Sequence, residues 1–190
     1  MWIVSPMAKG ANIALQRELP DLQGVVFGVD WDTGGERVLD DNLTLLTILV
    51  GQNGMALSPD HVVYFNQLVS ADLSTAQLQQ ALGGDDAQVE VELTAVPDDV
   101  SRIVFAIYLS EGSGSSRNLG QLKRLVVRLL NLDGGASIIS SVDLAEGLSA
   151  ETALKLAELY RLGGQWKLRV LGVGYSSGLH GLAQEFGVSL

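Results

Sequence analysis

The sequence contains no cysteine among its 190 residues. This absence excludes disulfide bonds, thiolate metal sites and cysteine nucleophiles, and with them any direct thiol chemistry on an oxyanion. No apolar run approaches the roughly 18–20 residues that cross a bilayer. The chain also does not open with the basic segment and apolar stretch of a signal peptide. We therefore expect a cytoplasmic protein without direct membrane insertion.

Positive charge is scarce, since 12 lysines and arginines stand against 22 aspartates and glutamates, for a formal net charge of −10. Nonspecific binding of nucleic acid or of anionic lipid needs a basic surface, so this balance excludes both as the main function. An acidic chain is compatible with cation binding. Acidity alone is weak evidence for it, because most carboxylates of any protein are simply solvated.

The composition is globular, with 47% hydrophobic and 18% charged residues, and 22 glycines separate short apolar runs. Several runs alternate with a period of two, which is typical of half-buried antiparallel strands. We predict a mainly β protein, a sandwich of two mixed or antiparallel sheets in one domain, residues 1–190. The predicted strands are Asn12–Leu15, Gly24–Val29, Leu43–Val50, His61–Phe65, Val89–Leu93, Arg102–Leu109, Leu122–Leu132, Ser137–Val142 and Trp166–Val173.

Three segments are predicted to form short peripheral helices: Ser74–Leu82, Glu151–Leu162 and Leu179–Phe186. The first begins with a capping residue type and contains strong helix formers. The second has apolar residues at helical spacing and stops at Gly163, before a tight Gly163–Gly164 turn. The third is short and ends before Gly187.

One motif has the form of a hydrolase nucleophile elbow, Gly174–Gly178 with Ser176 at its centre. Its acid is missing, and His180 lies only four residues from Ser176. The same glycines nearly match a dinucleotide-binding loop, but too few residues follow for the second strand of that unit. We therefore expect a glycine-rich turn between a strand and a helix.

Aspartates cluster at three places: Asp30 with Asp32, Asp40 with Asp41, and Asp85 with Asp86 behind two glycines. Calcium binds six to eight oxygens from carboxylates, carbonyls and water. Adjacent aspartates repel each other unless solvent or a cation intervenes. On the residues alone these are solvated turns, and only a wider context makes them metal ligands.

That context comes from ordered motifs over nearly the whole chain, through which it resembles the TerD family of bacterial tellurite-resistance and stress-response proteins. The resemblance implies a calcium site in acidic loops and a protein that is not an enzyme. The motifs are Lys9–Leu15, Gly28–Asp32, Tyr64–Gln67, Gly84–Asp86, Val91–Pro97, Ile103–Tyr108, Glu158–Arg161 and Trp166–Lys167.

The departures from the family pattern fall on the implied metal site. Of its carboxylates Asp32, Asp85 and Asp86 survive, and these three are the candidate metal ligands. The family's Asp-Leu-Asp falls on Asn42–Thr44, its Gly-Asp-Asn has no counterpart, and its final glutamate is Ala87. Since affinity depends on the number of charged oxygens, we expect Ca²⁺ binding to be weak or lost.

Three functions follow as alternatives. The first is a non-enzymatic stress-response protein, associated with tellurium resistance, that binds calcium weakly and acts with other stress-response proteins, in a complex at the inner face of the membrane. The second is a metal-free protein-interaction module that uses the region Asn66–Asp86. The third is an enzyme that acts through Ser176 or through the aspartates.

Overall fold

The computed structural model describes residues 5–110 and 117–190. Eleven strands and three short α-helices occur in this part of the chain. The strands are β1 Asn12–Ala14, β2 Val25–Asp32, β3 Leu43–Val50, β4 Val62–Val63, β5 Thr75–Gln77, β6 Ala87–Val91, β7 Arg102–Leu109, β8 Arg124–Asn131, β9 Ser137–Ser140, β10 Ala153–Leu162 and β11 Gln165–Tyr175. The helices are α1 Leu15–Glu18, α2 Arg37–Asn42 and α3 Gly178–Phe186, and single 3₁₀ turns lie at Pro59–His61 and Leu119–Gln121.

The strands form two sheets, one of six strands in the order β1-β11-β10-β7-β3-β4 and one of five in the order β5-β6-β2-β8-β9. Every pairing between these strands is antiparallel. The predicted fold class, mainly β with two sheets and about three short helices, is confirmed. The predicted bounds of β3 and β7 agree with the structure to the residue.

The core between the sheets is built by the alternating apolar residues of both. Phe27 of β2 and Phe105 of β7 stack across it with ring centroids 4.0 Å apart and planes 8° from parallel. Val89 and Val91 face it from β6, as their alternation predicts, and so do Trp166 and Leu168 from β11. Each alternating strand thus places one face in the core and the other toward the sheet's outer surface.

A second apolar cluster lies on the outer face of the six-stranded sheet, where α3 covers it. Leu182 and Phe186 of α3 pack there against Ile48, Val104 and Ala106. The central strands β3 and β7 are therefore buried on both faces, which explains their nearly continuous apolar sequences. The predicted helix Leu179–Phe186 is confirmed as α3, and Gly187 ends it with a φ of +65°.

The predicted helix Glu151–Leu162 is wrong, because these residues form β10 between β7 and β11. A β-bulge between Lys155 and Ala157 is the cause of the error. It puts Leu154, Leu156, Ala157 and Leu159 all into the inter-sheet core. An extra residue in a strand breaks the period of two, and the apolar residues then recur at spacings that imitate a helix.

The predicted helix Ser74–Leu82 is also wrong. Thr75–Gln77 forms β5, which pairs with β6 through Thr75↔Val91 and Gln77↔Val89. Helix propensity is a weak preference, and the backbone hydrogen bonds that β6 offers outweigh it here. The two remaining helices, α1 and α2, were not expected from the sequence. Each has at most six residues and buries one leucine.

Candidate functional site

Three aspartates surround Trp31 near the end of β2. The Trp31 backbone N–H donates to Asp86 Oδ2 over 2.7 Å, and its indole Nε1–H donates to Asp40 Oδ1 over 2.8 Å. Asp30, the preceding residue, binds the Arg124 guanidinium with both oxygens, at 2.9 and 3.0 Å. Trp31 therefore holds two carboxylates close together, that of Asp40 in α2 and that of Asp86 in the loop before β6.

Asp86 is the least compensated of these carboxylates. Burial raises the pKa of the Asp86 carboxyl above its ordinary value, and the charges of Asp30, Asp40 and Asp85 raise it further. The hydrogen bond from the Trp31 N–H acts in the opposite direction without reversing the shift. The ionised form of Asp86 is thus disfavoured, and a nearby positive charge would stabilise it.

Asp85, the neighbouring residue, has the opposite environment. Its side chain is fully buried and forms an ion pair with Arg128 of β8, whose Nε lies 2.9 Å from Oδ1. The Gln88 amide donates to its other oxygen over 2.7 Å. Gly28 pairs with both Gln88 and Arg128. A Cβ on Gly28 would lie 2.1 Å from Asp85 Oδ2, so only glycine leaves room for this carboxylate.

Asp32 is the last residue of β2, at the start of the turn that follows the strand. Its Oδ1 accepts a hydrogen bond from the Gly34 N–H over 2.7 Å, and its main-chain oxygen accepts one from the Lys123 N–H. This arrangement is a side-chain-capped turn. It gives Asp32 a structural role without contact to Asp86.

These residues do not fit a calcium site that needs six to eight oxygens. Both oxygens of Asp85 have protein donors, and Asp32 and Asp86 each commit one oxygen to a backbone N–H. Within residues 5–110 and 117–190, no group of three His, Cys, Asp or Glu side chains could hold a metal ion. That Ca²⁺ binding by Asp32, Asp85 and Asp86 is weak or lost stays a prediction.

Sequence reasoning missed the partner of Asp85. The signal available was Arg128 itself, an arginine inside the apolar run Leu125–Leu130. A charged group in such a strand requires a counter-charge, but spacing cannot say which of 22 acidic residues supplies it. The pair joins residues 43 positions apart, so only the fold identifies it.

The Gly174–Gly178 motif is a turn between β11 and α3, as expected. Ser176 is exposed at the surface of this turn. Gly178, the first residue of α3, has a φ of +63°, and a Cβ there would lie 2.5 Å from Thr152 Oγ1. A glycine is therefore required at position 178, both for the sharp change of chain direction and for the close approach to Thr152.

A polar cluster that the sequence did not predict lies at the 3₁₀ turn Pro59–His61. Ser58 Oγ lies 2.7 Å from His61 Nδ1, and His61 Nε2 lies 3.6 Å from Asp72 Oδ2. A catalytic triad has the opposite arrangement, with serine at Nε2 and the acid hydrogen-bonded at Nδ1. Here Ser58 caps the turn by accepting from the Asp60 N–H. The geometry is that of a cap that ties the turn to the 70–74 loop.

Asp72 stabilises that loop from within. Its Oδ1 accepts from Ser70 Oγ and from the Ser74 N–H, each over 2.8 Å. Burial alone would raise the pKa of Asp72, but these hydrogen bonds, with the charge of His61, outweigh it and lower the pKa below its ordinary value. Asp72 is therefore an ionised structural residue.

Two antiparallel sheets with aspartate-rich loops beside β2 and β6 define the class of protein, a two-sheet β-sandwich. The same fold occurs in a solved Streptomyces coelicolor A3(2) homologue of the telluride resistance protein TerD. That structure superposes with a TM-score of 0.66 at 18% sequence identity, covering 89% of this chain and 99% of the homologue. At this identity the likeness establishes the fold.

The sequence comparisons establish the family. The TerD domain matches residues 3–186. The chain is 32% identical over 187 residues to an Alcaligenes tellurium resistance protein TerD, covering 96% of this chain and 97% of the relative. It is 35% identical over 192 residues to general stress protein 16U of Bacillus subtilis (strain 168), covering 97% of each. The chain belongs to the TerD domain family.

None of the helices found in the described parts of the chain has the length and apolar character that a membrane span requires.

Proposed function

We propose that this chain is a non-enzymatic stress-response protein, associated with tellurium resistance, that acts by binding other proteins without a calcium ion. Its relatives support the biological setting, since they include a tellurium resistance protein and a general stress protein. We expect it to act in the cytoplasm with other stress-response proteins, in a complex at the inner face of the membrane.

The partners of the acidic residues support a role without calcium. Arg128 already supplies a positive charge to Asp85, at a side chain with no exposed surface. A Ca²⁺ ion there would have to displace a guanidinium and an amide that are both in hydrogen-bond contact. Such a displacement leaves Arg128 without its partner, which costs free energy.

Ser176 and the Ser58–His61 pair support a role without catalysis. Ser176 is exposed in a turn, and Ser58 is occupied as a cap. A nucleophile needs a base within hydrogen-bond reach and donors for the developing oxyanion. At Ser58 the nearby backbone N–H, that of Asp60, donates to the serine hydroxyl as a cap and is therefore not directed at an oxyanion site.

A group of exposed apolar side chains between β4 and β6 carries the proposal of protein binding. Of the nine large apolar residues that are exposed within residues 5–110 and 117–190, four lie on this segment: Phe65, Val69, Leu73 and Leu82, with exposed fractions of 57%, 44%, 75% and 69%. We call these four residues the 65–82 surface. Exposed apolar side chains are candidates for contact with a partner protein, and four of them lie on this one segment.

Leu73 adds a second observation. It is the one non-glycine residue with a positive φ, +65°, in the described ranges 5–110 and 117–190. A leucine in this left-handed region costs about 1–2 kcal/mol, whereas glycine would cost nothing. Leu73 lies in the 70–75 turn, where its N–H donates to the Ser70 carbonyl, and a leucine in place of glycine at this exposed position is consistent with a binding role.

A second candidate function keeps calcium at the Asp86 end of the acidic loops. The raised pKa of Asp86, beside Asp30 and Asp40, supports it because a cation would relieve that repulsion. This candidate predicts stabilisation by Ca²⁺ that depends on Asp86. The primary proposal predicts none.

Site-specific photo-crosslinking in living cells tests the proposed binding surface. A photoreactive phenylalanine analogue is placed at Leu73 or at Leu82. Leu162, the last residue of β10 and 58% exposed, is the matched control position. We expect covalent adducts with another protein from positions 73 and 82, increased under stress, and none from position 162.

Adducts at position 162 equal to those at 73 and 82 would show nonspecific contact and contradict the proposal. So would the absence of adducts at 73 and 82 while the variant proteins are folded and abundant. Folding is checked by the unfolding temperature of each purified variant, since all three positions are exposed and should tolerate the substitution.

A further inference from the structure

Two cavities meet at Phe65. One, of about 380 Å³, is lined by Trp31, Asp41, Leu78 and Asp86. The other, of about 540 Å³, lies between Tyr108 and α3, where Leu179 lines it. Phe65 and Ser110 line both cavities. The two cavities therefore lie side by side, and we call them together the Phe65 groove.

The two ends of the Phe65 groove differ in charge. At the Trp31 end the charged lining residues are Asp41 and Asp86, and no lysine or arginine lines this cavity in the described parts of the chain. At the α3 end the lining side chains carry no charge apart from His180, and apolar ones such as Leu179 and Val188 stand beside two serines. A ligand that matches both ends carries a positive group on one side and apolar groups on the other.

Of the two carboxylates that line the acidic end, Asp86 is held in place, and the nearby charges of Asp30 and Asp40 crowd it. The Trp31 backbone and indole N–H groups fix Asp86 and Asp40, and Asp30 lies beside them on Arg124. A positive group that enters near Asp86 gains attraction without a cost for ordering these side chains. The acidic end is thus preorganised for a cation.

The available oxygens favour an organic cation over a metal ion. Asp86 and Asp40 each have one oxygen engaged by Trp31, and both oxygens of Asp30 bind Arg124. With Asp41, these four aspartates leave at most about four free carboxylate oxygens, fewer than the six to eight oxygens that a calcium site takes from carboxylates, carbonyls and water. An ammonium or guanidinium group needs only a few acceptors, and an aromatic wall such as Trp31 adds to its binding.

We propose that the Phe65 groove binds an extended segment of a partner protein, with a lysine or arginine side chain beside Trp31 and Asp86 and apolar side chains against Phe65 and α3. This inference rests on the proposed function and adds the chemistry of the partner. Apolar contacts at the α3 end supply affinity, and the carboxylates select the basic residue.

A positional-scanning library of acetylated heptapeptides tests the proposal. Its pools carry a fixed central lysine, arginine, glutamine or glutamate, and binding is measured by fluorescence polarisation. We expect the lysine and arginine pools to bind at least tenfold more tightly than the glutamine pool, and the glutamate pool to bind more weakly still. Backbone amide shifts at Trp31, Phe65 and Leu78 should map the site.

Charge variants supply the matched control. Asp41→Asn with Asp86→Asn should abolish the preference for lysine and arginine. Asp98→Asn with Asp99→Asn changes the net charge equally at two exposed residues outside the groove, and it should leave the preference intact. Equal loss in both double variants would show a general charge effect and overturn the proposal.

Three further results would overturn it. The first is binding that does not depend on the central residue. The second is displacement of the peptides by micromolar Ca²⁺, which makes the acidic end a metal site. The third is occupation of the groove by a second copy of the chain, seen as self-association that Phe65→Ser abolishes. Adducts at positions 73 and 82 under the first or the third result would leave the proposed function standing, so the two failures are distinguishable. The second result would also contradict the calcium-free part of the proposed function.

Discussion

Asp85 and Asp86 are neighbours in sequence, but the fold gives their carboxylates opposite environments. Asp85 is fully buried against Arg128 and Gln88, whereas Asp86 is exposed among like charges. On the residues alone both were expected in solvated turns, and only the resemblance to the TerD family made them candidate metal ligands. Their difference depends on a pairing across 43 residues, which local sequence does not contain.

Gly28 tests the role of Asp85. In Gly28→Ala the new Cβ would lie 2.1 Å from Asp85 Oδ2, so the carboxylate must leave its position beside Arg128. We expect a loss of about 3 kcal/mol in the free energy of unfolding, because a buried ion pair is broken. Urea denaturation measures it.

A double-mutant cycle separates this effect from backbone strain. In an Asp85→Ala background the Gly28→Ala substitution should cost at least about 1 kcal/mol less, because the clash and the ion pair are both gone. Additive costs would mean that Gly28 and Asp85 act independently, contrary to the geometry described here.

Asp86 should contribute more to the free energy of unfolding at acidic pH, where its carboxyl is protonated, than at neutral pH, where it is ionised. Its pKa is raised in the folded state, so the stability that its protonated form contributes is present in full below the ordinary value of 3.8. That contribution is lost as the pH rises through the folded pKa. Asp86→Asn cannot ionise and still offers an oxygen to the Trp31 N–H.

We therefore expect Asp86→Asn to be more stable than the parent at pH 7, by less than about 1 kcal/mol because solvent screens an exposed residue. The difference should vanish as the pH falls below the ordinary aspartate range. Thermal unfolding across pH measures it. A variant that is less stable at pH 7 would show that Asp86 has a favourable partner.

At the scale of the secondary-structure elements, strands with a regular alternation or a continuous apolar sequence could be predicted, and strands with an irregularity could not. β3 and β7 follow their apolar sequences, while the bulge in β10 produced a false helical spacing. β5 has three residues and depends on β6 for its hydrogen bonds. In both wrongly predicted helices, Glu151–Leu162 and Ser74–Leu82, pairing with neighbouring strands determines that a strand forms. The Gly163–Gly164 turn was predicted correctly, but it joins two strands.

The attachment of α3 can be divided between apolar and polar contacts. Phe186 is 1% exposed on the outer face of the six-stranded sheet. Glu185, whose side chain is 41% exposed, lies 2.8 Å from Lys155 Nζ and accepts from the Tyr175 hydroxyl. Phe186→Ala should cost about 3–5 kcal/mol, and Glu185→Gln less than about 1 kcal/mol.

Chemical denaturation of the two variants gives these numbers directly. If Glu185→Gln cost as much as Phe186→Ala, the polar contacts would dominate the docking of α3, and the apolar cluster would be secondary. The raised pKa of Tyr175, caused by burial and by Glu185, offers a second readout, since it should fall toward its ordinary value in Glu185→Gln.

At the scale of the whole molecule, the chain is an acidic TerD-family β-sandwich whose loops carry internal ion pairs and whose exposed apolar residues concentrate between β4 and β6. Composition and ordered motifs were enough to predict the fold class and the family. They could not reveal the 65–82 surface, because exposure depends on how β5 pairs with β6 and on the loops around it.

Thermal unfolding in excess EDTA and then in millimolar Ca²⁺, with Mg²⁺ as control, tests the central claim most directly. A ligand that binds only the folded state stabilises it by about 2.7 kcal/mol at a hundredfold excess over Kd, or several degrees in unfolding temperature. A protein that acts without calcium should show the same unfolding temperature in all three conditions. A rise with Ca²⁺ alone, absent in Asp86→Asn, would contradict the account and establish calcium-linked binding.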